Sequence, residues 1–361
     1  MAPSRRRQKR HRPRPITPAV TAAPGPRLVL VGGSTETGRI DGISAAGADP
    51  DLLVHTPSAD LEIVEFGRPV GAPVVPVSPS GCPTPAVVTR AARELLGFDV
   101  LAVDAGLARP TGAPTVTVGE AVGEDVREAC PMLDAEGVFE NGRRLGRALP
   151  DEELVIGETI PGGTTTAMAI LAALGERVTV SSSLPENPLS LKRRVVREAL
   201  AASDLQMGEA AGEPIEALRR VGDPVLAAAA GIVRGASEVG IEVVLAGGTQ
   251  LATVGALARH GGVEASLTLA TTTFVAEDRS AAIDDLAGDL ELDLCITDPG
   301  FDELDHQATN AYVDGEAKEG VGMGGALALC ERAGVPPVDL RERYLAVYER
   351  LVAGDERAVR A

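Results

Sequence analysis

The chain reads as an α/β protein: a mostly parallel, Rossmann-like sheet with helices on both faces, and a smaller lobe beside it. Three observations predict this. Short apolar runs such as Leu28-Val29-Leu30-Val31 and Val243-Val244-Leu245-Ala246 alternate with longer Ala- and Leu-rich stretches, the pattern of buried parallel strands joined by helices. Glycine- and hydroxyl-rich turns stand at the junctions, as in Gly162-Gly163-Thr164 and Gly247-Gly248-Thr249. The chain has 361 residues, 44% of them hydrophobic, and a mean hydropathy of +0.09, enough for a large core.

Each element follows from its residues in turn. Residues 1–24 are Arg-rich, then Pro-rich, with no apolar periodicity and no secretory h-region, and read as a disordered tail. Residues 25–361 read as a single α/β unit. Its first strand starts at Arg27 and runs into the turn Gly32-Gly33-Ser34. Residues 56–85 are rich in proline and carry no long helix signal, so the smaller lobe is expected partly from about 45–95. Ala86 to Leu96 reads as a helix, Phe98 to Val103 as a strand, and Val126 to Leu149 as helical pieces. A strand ends through Glu153-Leu154-Val155, and Ala167 to Leu174 forms the helix after it. Glu176 to Val180 reads as another strand, followed by a basic helix from Lys192 to Leu200. Asp223 to Ser237 is helical, Ile241 to Ala246 a strand, and a helix runs from Gly247 to Ala258. Ala265 to Leu269 and Leu292 to Thr297 complete the strands.

Composition narrows the function. Residues 1–27 hold eight Lys or Arg and no acid, so the remainder has 34 − 8 = 26 basic against 52 acidic residues, a net of −26. Such an acidic body disfavours nucleic acid as a partner. It suits the cytoplasm of a salt-loaded, halophilic cell, where salt screens the self-repulsion. No apolar run is long enough to span a membrane. Aromatics are 2% with no Trp, so stacking cannot dominate a ligand site. Cys82, Cys130, Cys295 and Cys330, and the four histidines, show no metal-ligand spacing, and no metal site is expected.

The chain is organised around Ile156-Gly157-Glu158-Thr159-Ile160-Pro161-Gly162-Gly163-Thr164-Thr165-Thr166. A Gly- and Thr-rich turn between a strand end and a helix start aims backbone N–H groups and the helix dipole at one spot, which suits a phosphate. A plain helix cap fits the local pattern equally well. Walker A spacing is present, but Gly163 stands where that motif needs Lys, which argues against NTP hydrolysis. No G-x-G-x-x-G follows the first strand, so a dinucleotide fingerprint is missing. Lys192 is one of only three lysines and follows the loop Ser181-Ser182-Ser183. Near the end, Lys318-Glu319-Gly320-Val321-Gly322-Met323-Gly324-Gly325 leads into an apolar helix. Glycine there lets a small ligand approach Glu319 closely.

Taken together, these motifs resemble the nicotinate-nucleotide:dimethylbenzimidazole phosphoribosyltransferases, in the wording of their archaeal branch. Gly157-Glu158-x5-Thr164-Thr165 resembles that family's Gly-Glu-Met-Gly-Ile-Gly-Asn-Thr-Thr segment, with Ile160-Pro161 replacing its Gly-Ile step. Residues 318–326 resemble its C-terminal Gly-Glu-Gly-Thr-Gly-Ala segment, with Met323-Gly324 as a departure. Ser182-Ser183 with Lys192, and the Gly247-Gly248 turn, are similar to its remaining loops. The resemblance runs from about residue 27 to the end.

It implies transfer of the phosphoribosyl group of nicotinate mononucleotide to a benzimidazole-like or purine base. The products are an α-riboside phosphate, used in cobamide biosynthesis, and nicotinate. It also implies a homodimer. Glu319 matches the family's general base and Glu158 its ribose-binding carboxylate. The phosphate is expected against Gly162, Gly163, Thr164, Thr165, Ser182, Ser183 and Lys192, with Gly247, Gly248, Lys318 and Gly320 close by. The chemistry fits: the pyridinium leaves neutral and needs no general acid, while the incoming base must lose a proton. One carboxylate base, worth roughly 10²–10⁴-fold, is the main requirement. Glycine-loop N–H groups near Glu319 are expected to favour its ionised form. No cofactor or Mg²⁺ is called for, because no pyrophosphate leaves. Two rivals stand beside this. One is a nucleotide-binding regulator of the same fold without turnover. The other is a phosphoribosyl-pyrophosphate enzyme, disfavoured because Asp284-Asp285 looks helical.

Overall fold

The computed structural model describes residues 25–44, 50–78 and 80–359; the basic tail 1–24 lies outside them. Among the described residues, one sheet holds seven strands, all parallel, in the order β3-β2-β1-β4-β5-β6-β7. They are β1 (Arg27–Gly32), β2 (Val100–Asp104), β3 (Thr115–Thr117), β4 (Glu153–Thr159), β5 (Glu242–Ala246), β6 (Leu267–Thr272) and β7 (Asp293–Thr297). Helices α1 (Pro50–Leu53), α2 (Thr56–Phe66) and α3 (Ala86–Leu96) lie between β1 and β2, and α4 (Ala135–Ala148) precedes β4. Between β4 and β5 come α5 (Gly163–Leu174), α6 (Leu189–Ala202), α7 (Pro214–Val221) and α8 (Pro224–Glu238). Then α9 (Thr249–His260) precedes β6, and α10 (Thr273–Ala276) and α11 (Ile283–Asp289) precede β7. The chain closes with α12 (Gln307–Val313), α13 (Met323–Arg332) and α14 (Pro337–Val359).

The period of two in each strand sorts the core onto two faces. Val29, Val31, Leu154 and Ile156 pack with α5, α8 and α9. Leu28, Leu30 and Val155 point the other way, into a core shared with α2, α3, α13 and α14. Both faces are covered, which is why the strands read as continuous apolar runs. The crossover helices α4 and α8 touch backbone to backbone. A Cβ on Gly142 would stand 2.5 Å from the Ala228 carbonyl oxygen, and one on Gly231 2.1 Å from that of Phe139. At its start α8 is capped by Asp223, whose side chain accepts from the Leu226 N–H at 2.8 Å.

The predicted α/β class with a parallel sheet is the observed one. Two expectations are corrected. Glu176 to Val180 is not a strand: β4 already has β1 on one side and β5 on the other, so the segment has no free edge there. Residues 56–85 do contain a helix of three turns. Pro57 opens α2, and Gly67, in the left-handed region at φ 78°, ends it. Its polar residues Asp60 and Glu62 are buried alongside Leu61 and Ile63, so α2 shows no polar face to betray it. Glu62 instead binds loop backbone, accepting from the N–H groups of Val70, Gly71, Ala72 and Gly112.

Candidate active site

In a parallel sheet every strand ends on the same side. The order turns at β1 and β4, whose connections leave in opposite directions, and a crevice opens there. A pocket of about 990 Å³, counted to its open mouth, occupies this place. Its floor is the end of β4, Glu158 to Ile160; one wall is the turn into α5. Ser181, Ser182 and Ser183, the start of α9, residues 317–321 and residues 82–85 complete it. None of the lining residues is aromatic.

The turn into α5 is built by glycine. Gly162 caps the helix with φ 86°, and a Cβ there would stand 2.7 Å from the Cα of Gly38 in the turn after β1. Gly163 and Thr164 then face the pocket at the positive end of a wholly embedded helix. Thr165 is buried behind them and does not line the pocket. Gly248 lines it, and a Cβ there would come within 3.7 Å of the Glu319 Cβ; Gly247 lies outside and packs on Leu251.

The loop before α13 is drawn onto β4. Val321 donates its N–H to the Glu158 carbonyl at 2.8 Å, and Thr89 on α3 donates its hydroxyl to the Val321 carbonyl at 2.8 Å. Gly320, Val321 and Gly322 all have positive φ, at 139°, 54° and 73°. For a β-branched residue such as Val321 this is a strained backbone, held by those two bonds.

Glu158 and Glu319, from two separate motifs, therefore face one pocket, which Asp60 of α2 also lines. Glu158 is 7% exposed, and burial, then Asp223 and Glu319, push its pKa up to about 8. Glu319 Oε1 accepts from the Gly324 N–H at 2.9 Å, whereas Oε2 is buried with no hydrogen-bond partner among the described residues. Burial pushes Glu319 to about 8 although the N–H groups of Gly324 and Gly320 pull the other way. The expectation that those N–H groups keep Glu319 ionised is thus reversed: two donors do not offset the lost hydration.

The lysines work from behind the serine loop. Lys192 is fully buried and outside the pocket lining, and donates to the Ser181 carbonyl at 2.7 Å. Burial, then the charge of Lys318, lowers it to about 7. Lys318 lines the pocket, donates to the carbonyls of Ser182 and Leu184 at 3.0 and 3.2 Å, and pairs with Asp278 at 3.4 Å. Arg193, Arg194 and Arg197 of the basic helix point to solvent. The sequence reading missed Asp60, Thr84, Ser181 and Gln250, which also line the site. Asp60 could have been found only by recognising α2 from Pro57 and Gly67.

A family model described as Phosphoribosyltransferase matches residues 85–261, the stretch that carries Glu158, the α5 turn, the serine loop and Gly248. A UPF0284 protein of Halobacterium salinarum is 59% identical over 333 residues, covering 92% of this chain and 100% of that one. The chain belongs to the UPF0284 family. Other members match over nearly their whole length: those of Methanosarcina acetivorans and Pyrococcus furiosus are each 40% identical, covering 94% and 90% of this chain and 99% of either. The fold is that of two solved structures from Thermus thermophilus. One is named CobT (TM-score 0.60) and the other nicotinate-nucleotide-dimethylbenzimidazole phosphoribosyltransferase (TM-score 0.59). Each is 21% identical and covers 90% of this chain, which covers 84% of either. The archaeal branch expected from the motifs is the right one, and the UPF0284 chain is an enzyme of the phosphoribosyltransferase type. Among its described residues no helix is long and apolar enough to cross a membrane.

Proposed function

We propose that the protein moves the phosphoribosyl group of nicotinate mononucleotide to a benzimidazole-like or purine base, giving an α-riboside phosphate for cobamide biosynthesis. The observation that carries this reading is the pair Glu158 and Glu319 in one pocket beside the α5 turn, with Glu319 Oε2 unpartnered. The donor's phosphate would rest at Gly162, Gly163 and Thr164 and the serine loop, whose carbonyls Lys192 and Lys318 hold from behind. The ribose would lie on Glu158. The C1′–N bond to the pyridinium breaks with its electron pair going to the pyridine nitrogen, so nicotinate leaves without a proton from the protein. The base nitrogen bonds to C1′ and yields its proton to Glu319.

Glu319 must be ionised to accept that proton, and with its pKa raised to about 8 it is largely protonated at neutral pH and below. The donor's pyridinium charge favours the ionised form once bound, since an opposite charge nearby lowers a carboxyl pKa. We further propose a homodimer, following the family resemblance, and a place in the cytoplasm, following the acidic composition. The test is incubation with nicotinate mononucleotide and a panel of benzimidazoles, phenols and purines. Release of nicotinate with a matching riboside phosphate is expected. Tight donor binding with no release for any base would overturn the enzymatic reading in favour of a regulator.

A further inference from the structure

Asp60, on α2, lines the pocket and is 2% exposed. Both its oxygens are occupied. Oδ1 accepts from the Thr84 hydroxyl at 2.6 Å, and Oδ2 accepts from the Thr159 hydroxyl at 2.7 Å. Thr159 is the residue after Glu158 at the end of β4, and Thr84 belongs to the 82–85 wall. One carboxyl thus spans the strand end that bears Glu158 and the wall across from it.

We propose that Asp60 is a positioning residue for the transfer, holding the 82–85 wall and the Glu158 end of β4 in one register so that the acceptor base meets the bound ribose. This rests on the function proposed above and adds to it that the acceptor base lies against that wall.

Stability alone does not account for an acid here. No Lys, Arg or His pairs with Asp60 among the described residues, and a buried carboxyl without a cation is costly. Two threonine hydroxyls would be served by a neutral Asn at less cost. The acid's distinct contribution is its charge. It makes the bonds to Thr84 and Thr159 charge-assisted, which roughly doubles their strength. It also bears on Glu158. That group faces Asp223 at the start of α8, Glu319 before α13 and Asp60 on α2, all acids, and each raises its proton affinity. Tyr312 on α12 is pushed up by burial first and by Asp60 among its neighbours, and Lys318 is committed to Asp278. Burial lifts Asp60 itself to about 7, so its charge is half present at neutral pH and grows as pH rises above it.

The test uses the full chain with nicotinate mononucleotide and dimethylbenzimidazole. In Asp60→Asn the acid limb of kcat/KM, which reports Glu158 and Glu319 jointly, is expected to move down by roughly half a pH unit as Glu158 loses a negative neighbour. In Thr84→Val, which cuts the bond to the wall together with the long 3.3 Å bond from the Ala86 N–H and leaves the Asp60–Thr159 bond in place, the KM for dimethylbenzimidazole is expected to rise about 10-fold with the pH limb in place, the effect of one charge-assisted bond. A wild-type pH limb in Asp60→Asn, or a wild-type acceptor KM in Thr84→Val, would overturn the proposal. Should Asp60→Asn fail to fold, Thr84→Val decides on its own. A wild-type protein that turns over no base rejects the transfer itself, and the role of Asp60 falls with it. Wild-type turnover with unaffected variants rejects Asp60 alone.

Discussion

The N–H of Val321 donates to the carbonyl of Glu158 at 2.8 Å, and through this bond the two acid-bearing motifs share one pocket. The approach depends on what is missing beside it. A Cβ on Gly157 would stand 2.6 Å from the Cα of Gly322 and 2.8 Å from its nitrogen. Gly157→Ala therefore pushes the 319–322 loop off β4. Overpacking of this kind costs typically about 1–3 kcal/mol in stability. Turnover should fall further than stability explains, because Glu319 rides on the displaced loop. Urea melts alongside steady-state kinetics check this; wild-type turnover in a destabilised variant would show that the loop contact does not place Glu319.

Burial of Glu158 has a pH signature. Its folded-state pKa is raised from 4.5 to about 8, so the native state holds this proton more tightly than the unfolded chain. The resulting stability is fully present below about 4.5 and is lost as pH rises through about 8. Lys192 runs the other way: lowered from 10.5 to about 7, its contribution is present above 10.5 and is lost as pH falls through about 7. Glu158→Gln leaves Lys192 untouched and has no proton to lose, so its melting temperature should gain on the wild type between about pH 5 and about pH 9, values that bracket the titration. Parallel melting curves for the two proteins across that range would contradict the burial of the carboxyl.

Lys192 acts through the serine loop, since its amine reaches the Ser181 carbonyl and not the pocket. Lys192→Met keeps the buried stem and removes that bond. The affinity for nicotinate mononucleotide is expected to drop about 10-fold, with free nicotinate unaffected, as for loss of one buried hydrogen bond that leaves the Ser181 carbonyl without its donor. Calorimetric titration of both ligands checks it. Equal losses would mean that the loop does not serve the phosphoribosyl part.

How much of this was legible follows from what each residue advertises. Gly162, Gly163 and Thr164, and Glu319 with its glycines, are exposed to view because strand-to-helix turns have a fixed chemistry. The parallel sheet was legible for the same kind of reason: strands covered on both faces show as unbroken apolar runs. Asp60 was not legible. It sits on a helix buried around Leu61 and Ile63, where no amphipathic period marks it. Glu176 to Val180 has a strand's composition, but composition does not say that β4 has neighbours on both sides already. The protonation of Glu319 depends on a balance between depth and two N–H groups, and depth is a property of the folded chain.

The acidity of the body should set its salt response. With a net of 26 − 52 = −26 outside residues 1–27, lowering the salt unscreens like charges. The melting temperature is expected to rise steadily with added salt. A melting temperature independent of salt would show that the acidity has another cause.

Exchanging the proposed base for its neutral twin bears most directly on the mechanism. Glu319→Gln keeps the reach to the Gly324 N–H and cannot take a proton. Measured together, donor affinity and single-turnover rate with dimethylbenzimidazole separate binding from chemistry. The expected result is near-normal affinity for nicotinate mononucleotide with kcat lower by roughly two to four decades. Wild-type turnover in Glu319→Gln would contradict the assignment, and Glu319 would then be only the cap of α13.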